Sequence, residues 1–200
     1  TKFLFYFAGV HGSEGFAGSA VEIAILDYLQ LDKETLDRYS RVAVLRDEAK
    51  LVDEDPSLKK VDIDESTLPP TIVMVHAVNP FGMHYNRRVN EDNIDINRNY
   101  LDQEKLDMAL QRDPNFAGYL DLDFMLNPQG FVSSLTVVND VVSHLKSAFA
   151  LMCYGLEPIK KTLLAGNYFR QSGLAFGGKE QSASVRNMIS LLDIVDVSAA

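Results

Sequence analysis

The sequence predicts an α/β layered fold with a mainly parallel sheet, because strand-like and helix-like segments alternate along it. Strand signals, rich in aromatic and β-branched residues, stand at Phe3 to Val10, weakly at Arg41 to Arg46, at Thr71 to Val78, and at Leu191 to Val197. Helical periodicity is clearest from Ala17 to Leu29, from Val137 to Met152 and from Gln181 to Leu192. In such folds ligands bind in the crevice beyond the carboxyl ends of the strands. The end of the first strand is therefore the first place to look for chemistry.

Phe3 to Val10 is apolar almost throughout, as a strand covered on both faces must be. It stops at His11-Gly12-Ser13-Glu14-Gly15, a turn that holds an imidazole and a carboxylate three residues apart. That pair suits Zn²⁺, which takes N and O ligands in a compact shell. A competing reading makes Ser13 or Glu14 the N-terminal cap of the helix running from about Phe16 to Leu29. Leu31 to Pro70 carries many Asp, Glu and Lys residues and closes on Pro69-Pro70; it reads as a solvated acidic excursion.

Thr71 to Val78 leads into the sharp turn Asn79-Pro80-Phe81-Gly82, then into Arg87-Arg88 and Asn93-Ile94-Asp95-Ile96-Asn97-Arg98-Asn99. Arg87, Arg88 and Arg98 suit an anion, since a planar guanidinium grips a carboxylate through two parallel hydrogen bonds, and Asn97 adds an amide donor. Equally open is a structural network in which Arg88 and Arg98 pair with Glu91, Asp92 or Asp95. From Tyr100 to Gln129 acidic and apolar residues mix without a clean period, which predicts short helices and turns around Asp113-Pro114 and Asn127-Pro128. Gly166 to Gly178 is apolar and glycine-rich, but no Lys-Ser or Lys-Thr pair follows and the spacing is not Gly-x-Gly-x-x-Gly. It reads as a loop beside the cleft, walled by Tyr168 and Phe169.

Two hundred residues, 46% of them hydrophobic, suffice for one domain with a real core, so a single domain over residues 1 to 200 is expected. A net charge of −9 argues against nucleic-acid and anionic-membrane surfaces and leaves small molecules or peptides as partners. The single cysteine, Cys153, excludes an internal disulfide and reads as a small buried hydrophobe; a cytoplasmic location is the expectation. No apolar stretch reaches the roughly 18 residues of a membrane span. Oligomeric state is not legible in the sequence.

Taken in order, His-Gly-x-Glu-Gly after one strand, Asn-Pro-x-Gly after a second, an Arg pair and Asp-x-Asn-Arg-Asn resemble the zinc carboxypeptidase (M14-like) superfamily. The flanks Gly15-Phe16-Ala17-Gly18-Ser19-Ala20, Arg87-Arg88-Val89-Asn90-Glu91-Asp92-Asn93 and Gly173-Leu174-Ala175-Phe176-Gly177-Gly178 resemble more closely the uncharacterised carboxypeptidase-like family DUF2817. The resemblance runs roughly from residue 3 to residue 197. It implies a three-layer α/β/α domain with a mixed, mainly parallel sheet, incomplete at the C-terminal side of this chain. It also implies one Zn²⁺ and hydrolysis of a peptide or acylated amino acid with a free carboxylate.

By that resemblance His11 and Glu14 match the first two zinc ligands, and Arg88, with Arg87 as second choice, matches the arginine that holds the developing oxyanion. Asn97 and Arg98 match the pair that grips the free carboxylate. The superfamily's third ligand is a His in an Asp-x-His context after a late strand, where this chain reads Asp196-Val197-Ser198. Its glutamate general base corresponds to no position here. His76 is expected as a strand-end residue with a backbone hydrogen bond, His84 as a pocket or surface residue and His144 as structural, so none fills the gap. Two functions follow as expectations: a zinc hydrolase incomplete in this chain, or a non-catalytic relative that binds carboxylates without metal. An unfinished sheet with an open edge would template further pairing, so residues 1 to 200 alone are expected to aggregate.

Overall fold

The computed structural model describes residues 3–31, 70–128 and 136–195. It shows a mixed α/β protein, mostly helical, around a small parallel ribbon of β1 (Phe3–Phe7) and β2 (Thr71–Val75). The two strands pair in register from Phe3 against Thr71 to Phe7 against Val75. Both are shorter than the apolar runs that predict them. Beyond Phe7 and Val75 the chains stay joined but irregular, with Ala8 N donating to Val75 O, Val78 N to Ala8 O and Asn79 N to Gly9 O. This continued pairing carries the two polar turns forward side by side.

Helix α1 (Gly15–Leu31) reaches the ribbon through Gly18, where an added Cβ would lie 2.8 Å from the Ala8 Cβ. The last helix, α8 (Ala183–Val195), reaches it through Val185, Met188 and Ile189, which pack with Phe7, Val75, Val78 and Ile96. Successive strand residues point to opposite faces, so α1 at Ala8 and α8 at Phe7 cover opposite faces of the ribbon. Among the described residues the sheet has two strands, and no wider sheet is seen. The expected strand from Leu191 to Val197 is overturned: the chain is helical to Val195, and residues 196–197 lie outside the described residues. Its β-branched residues suggest a strand, but Val185, Met188, Ile189 and Leu192 recur at helical spacing and keep one partly or fully buried face. The strand at Arg41 to Arg46 and the acidic excursion, apart from its end residues Leu31 and Pro70, also lie outside the described residues.

Between β2 and α8 in sequence come α2 (Pro80–His84), α3 (Ile96–Asn99), α4 (Gln103–Leu110), α5 (Asp123–Leu126), α6 (Thr136–Tyr154) and α7 (Leu156–Ala165). The expected short helices and turns after Tyr100 are α4, a 3₁₀ turn at Phe116–Gly118, and α5. Tyr119, Leu122, Leu126 and Ala150 form a second core, with Ile159 and Leu163 of α7 against it. Its polar centre is the Tyr119 hydroxyl, which donates to Leu174 O at 2.8 Å and accepts from Asn127 Nδ2 and Asn167 Nδ2, each at 3.0 Å. A hydroxyl has one proton and two lone pairs, so all three are used. Burial pushes the Tyr119 pKa up. Cys153 is exposed rather than buried, because it sits on the outer side of α6. No helix among the described residues is long and apolar enough to cross a membrane.

Replacing Tyr119 by Phe removes all three hydrogen bonds while keeping the ring. The substitution is expected to lower stability by about 1–3 kcal/mol, the usual cost of leaving buried polar groups short of a partner. Equilibrium urea unfolding measures it, and an unchanged midpoint would show that this polar centre contributes nothing.

Candidate functional site

Two glycines bring the two motifs together. A Cβ added at Gly12 would lie 1.9 Å from the Gly82 carbonyl carbon, so the 3₁₀ turn Gly12–Glu14 and helix α2 meet backbone to backbone. Gly12 N donates to Arg88 O at 3.4 Å and Ser13 N to Arg87 O at 3.0 Å. The Asn-Pro-x-Gly turn has its own lock: Asn79, 1% exposed, caps α2 by accepting from Gly82 N at 2.8 Å and donates from Nδ2 to Arg88 O at 3.3 Å. His11, Glu14 and Arg88 are thereby held at one place. His11 stands at the cap position of this 3₁₀ turn and makes no side-chain cap hydrogen bond there.

Asp95 organises the rest. It is 2% exposed; its Oδ1 stands 3.0 Å from His11 Nε2 and accepts from Asn97 N at 3.1 Å, and its Oδ2 accepts from Arg88 Nε at 3.3 Å. Burial pushes its pKa up, but the hydrogen bond with His11 and the charges of His11, Arg88 and Arg98 outweigh burial and hold it below the usual 3.8. An ionised carboxylate only accepts, so His11 Nε2 carries a proton toward Asp95. The His11 Nδ1 faces Glu14 Oε1 at 3.4 Å. Arg88 Nη1 donates to the same Glu14 oxygen at 2.9 Å.

The sequence-predicted residues thus fall into two groups. His11, Glu14, Arg88 and Asn97 meet, the Asn97 Nδ2 lying 3.2 Å from His11 Nε2. Arg98 follows on α3 but turns the other way: its Nε donates to Leu163 O at 3.2 Å. Its terminal nitrogens have no hydrogen-bond partner among the described residues. Arg88 therefore pairs with Asp95, as the structural-network reading has it, whereas Arg98 pairs with none of the three acids. Arg87 is exposed and donates to Asn93 Oδ1 at 3.4 Å.

The remaining histidines stay apart. His76 is exposed, and its Nδ1 contacts the buried Glu22 carboxylate at 2.9 Å rather than a backbone group. His84 packs edge-on against Tyr85, and His144 is exposed on α6. The glycine-rich segment packs against Asp95 and Asn99. Phe176 O accepts from Asp95 N at 2.7 Å, and the buried Asn99 side chain binds Gly177 O, Glu180 O and Ser182 N. Tyr168 is buried with its hydroxyl on Arg98 O, while Phe169 stays part-exposed.

The donors suit zinc in part. Two ligands each about 2.1 Å from a tetrahedral ion stand roughly 3.4 Å apart, the separation found between His11 Nδ1 and Glu14 Oε1. A carboxylate on the far ring nitrogen is the usual support of a metal-binding histidine. Among the described residues, however, no group of three or more His, Cys, Asp or Glu side chains converges to hold a metal. Sequence reasoning missed the role of Asp95, treating it only as a counter-charge for the arginines. Its place two residues before Asn97, at the head of α3, was the available signal.

Because the folded-state pKa of Asp95 is depressed, its charge contributes stability that is present above pH 3.8 and lost as the pH falls through the folded value. Asp95→Asn is expected to cost about 2–3 kcal/mol at pH 7, the low side for a broken buried charge pair because Arg88 is half exposed. The gap from the unsubstituted protein should close under acid. A gap that stays constant from neutral pH to well below 3.8 would show that the charge of Asp95 is not what stabilises the cleft.

No curated protein and no solved structure matches the sequence. Residues 57–196 match the protein family of unknown function DUF2817, a stretch that contains Arg88, Asp95, Asn97 and Arg98 but not His11 and Glu14. With most of its length matched, the chain belongs to the DUF2817 family.

Proposed function

We propose that this chain carries the metal and substrate cleft of a zinc-dependent, carboxypeptidase-like hydrolase of the M14-like superfamily, acting on a peptide or acylated amino acid with a free carboxylate. The observation that carries the reading is His11 Nδ1 facing Glu14 Oε1 at 3.4 Å, the separation of two ligands on one tetrahedral ion, with the opposite ring nitrogen on Asp95. A metal ion that takes the place of a proton on Nδ1 would find an imidazole nitrogen and a carboxylate oxygen already side by side. His11 and Glu14 would hold the ion; when bound, zinc supplies Lewis-acid polarisation of a carbonyl and a water of lowered pKa.

The chain's own residues do the positioning. Asp95 holds His11 Nε2 and draws the Arg88 guanidinium over the same edge of the cleft, where it can donate to a developing oxyanion. Arg98 turns away from His11, with its Nε on Leu163 O and its terminal nitrogens without a protein partner among the described residues, so its role as a fork for a substrate carboxylate rests on the resemblance and requires the side chain to swing toward His11. Asn97 is exposed beside His11; with the Nε2 proton given to Asp95, its amide is not needed by the ring and can serve substrate. A third protein ligand and a general base are assigned to no residue.

One observation favours a second reading, a carboxylate-binding relative that works without metal. Arg88 Nη1 already neutralises Glu14 Oε1 at 2.9 Å, so the pair is satisfied as it stands. The two readings separate in calorimetric zinc titration of purified chain and of His11→Ala. Stoichiometric binding that weakens by about a hundredfold or more in the variant supports the hydrolase reading; absent binding leaves the carboxylate reading. Under either, Arg98→Ala should weaken binding of N-acyl amino acids by about tenfold or more, the worth of a charge-assisted pair. Unchanged affinity would remove Arg98 from the cleft.

A further inference from the structure

The end of α7 takes two arginine side chains. Arg98 Nε donates to Leu163 O, and Arg112 Nη2 donates to Ala165 O at 3.0 Å and to Gly166 O at 3.3 Å. The last carbonyls of a helix lack partners within it and attract cations, so capping alone accounts for one guanidinium there. Arg112 does more than cap. Its guanidinium carbon stands 4.5 Å from the centre of the Phe116 ring and 4.9 Å from that of Tyr168, within reach of a cation over an aromatic face. The buried Tyr168 in turn donates its hydroxyl to Arg98 O at 2.6 Å. Burial pushes the Tyr168 pKa up, against the charges of Arg112 and Arg98, so one phenol feels both cations.

Arg98 therefore leans, at its backbone and at its side chain, on groups that Arg112 holds. Its carbonyl is on the Tyr168 hydroxyl, and its stem runs along the end of α7, where a Cβ added at Gly166 would come within 3.1 Å of Arg98 Cδ. We infer that Arg112 is a positioning residue that keeps Arg98 on Leu163 O, turned away from His11, and so sets how readily Arg98 reaches a carboxylate in the cleft. The second half rests on the role proposed above for Arg98; the first does not. A planar guanidinium suits the task, since it can face aromatic rings and still donate in its own plane to the helix carbonyls, which an ammonium cannot do in the same way.

Heteronuclear NMR of the full chain tests it through the Arg98 Nε–H signal, identified by its absence in Arg98→Ala. Held by Leu163 O, that proton should exchange slowly with water, and Arg112→Met should speed the exchange by about tenfold or more while far-UV circular dichroism stays unchanged. If Arg112→Met does not fold, Arg112→Gln, which keeps an amide donor for the α7 carbonyls, carries the test. Fast exchange in the unsubstituted chain, or exchange that the substitution leaves unchanged, overturns the proposal. Calorimetric titration with N-acetylalanine reads the consequence: Arg112→Met should tighten binding by about threefold or more, because Arg98 is then free in a larger fraction of the chains. The gain should vanish in the Arg98→Ala background, since it acts through Arg98. A loss of affinity of equal size in both backgrounds marks Arg112 as a structural residue only and overturns the proposal. If Arg98→Ala alone leaves affinity unchanged, the role of Arg98 in the cleft falls, and the exchange rates still decide whether Arg112 holds it.

Discussion

Asp95 accepts from His11, Arg88 and the Asn97 amide while only 2% of it is exposed, and its own amide is taken by Phe176. A carboxylate so placed is costly unless every lone pair is served. Serving them determines where four separate stretches of chain must stand: the turn after β1, the Arg pair, the first turn of α3 and the glycine-rich loop. The cluster of His11, Glu14, Arg88 and Asn97 thus follows from satisfying one buried charge. It also explains why a helix as short as α3 persists, since Asp95 caps it and Asn99, fully buried, bolts its far end to Gly177, Glu180 and Ser182.

Steric constraint complements the electrostatic one. Gly12 and Gly82 leave no room for a side chain between them, and Gly18 has none against Ala8, so the end of β1 and the head of α1 are pressed onto the ribbon. Such approaches need glycine because the contact is backbone to backbone and no rotamer can relieve it. The result is a rigid floor from which His11 and Glu14 project. Rigid backbone of this kind holds first-contact residues more closely than a free loop does.

Legibility in the sequence followed the range of the interactions. The ribbon strands, α1 and α6 are local patterns of apolar residues, and each is present within a few residues of its expected limits. The meeting of His11, Glu14, Arg88 and Asn97 was legible through the order of the motifs, since turns after neighbouring parallel strands must lie side by side. What escaped depends on tertiary partners. The tail of α8 has strand-forming residues but continues a helix anchored upstream, where Val185, Met188 and Ile189 pack with Phe7 and Val75; Cys153 is exposed because α6 turns Ala150 inward instead; His76 meets a buried Glu22 that lies 54 positions earlier. The divergence of Arg98 from Asn97 is of the same kind: neighbours on a helix point about 100° apart, and only the Leu163 carbonyl, far along the chain, decides what Arg98 reaches.

The shared use of Glu14 Oε1 links the two halves of the cleft. Arg88 Nη1 and any cation held with His11 compete for that oxygen, so occupancy by one weakens the hold of the other. Arg88 would not be lost in the exchange, because its Nε remains on Asp95, a residue whose other oxygen is on His11. Only the terminal nitrogen would be released. An arginine tethered at one nitrogen and freed at another is positioned for a substrate oxygen without a change of backbone. Under the proposed hydrolase reading the Arg88 to Glu14 bridge would be the resting state of the oxyanion donor, and the same contact that favours a metal-free reading would couple metal and substrate binding.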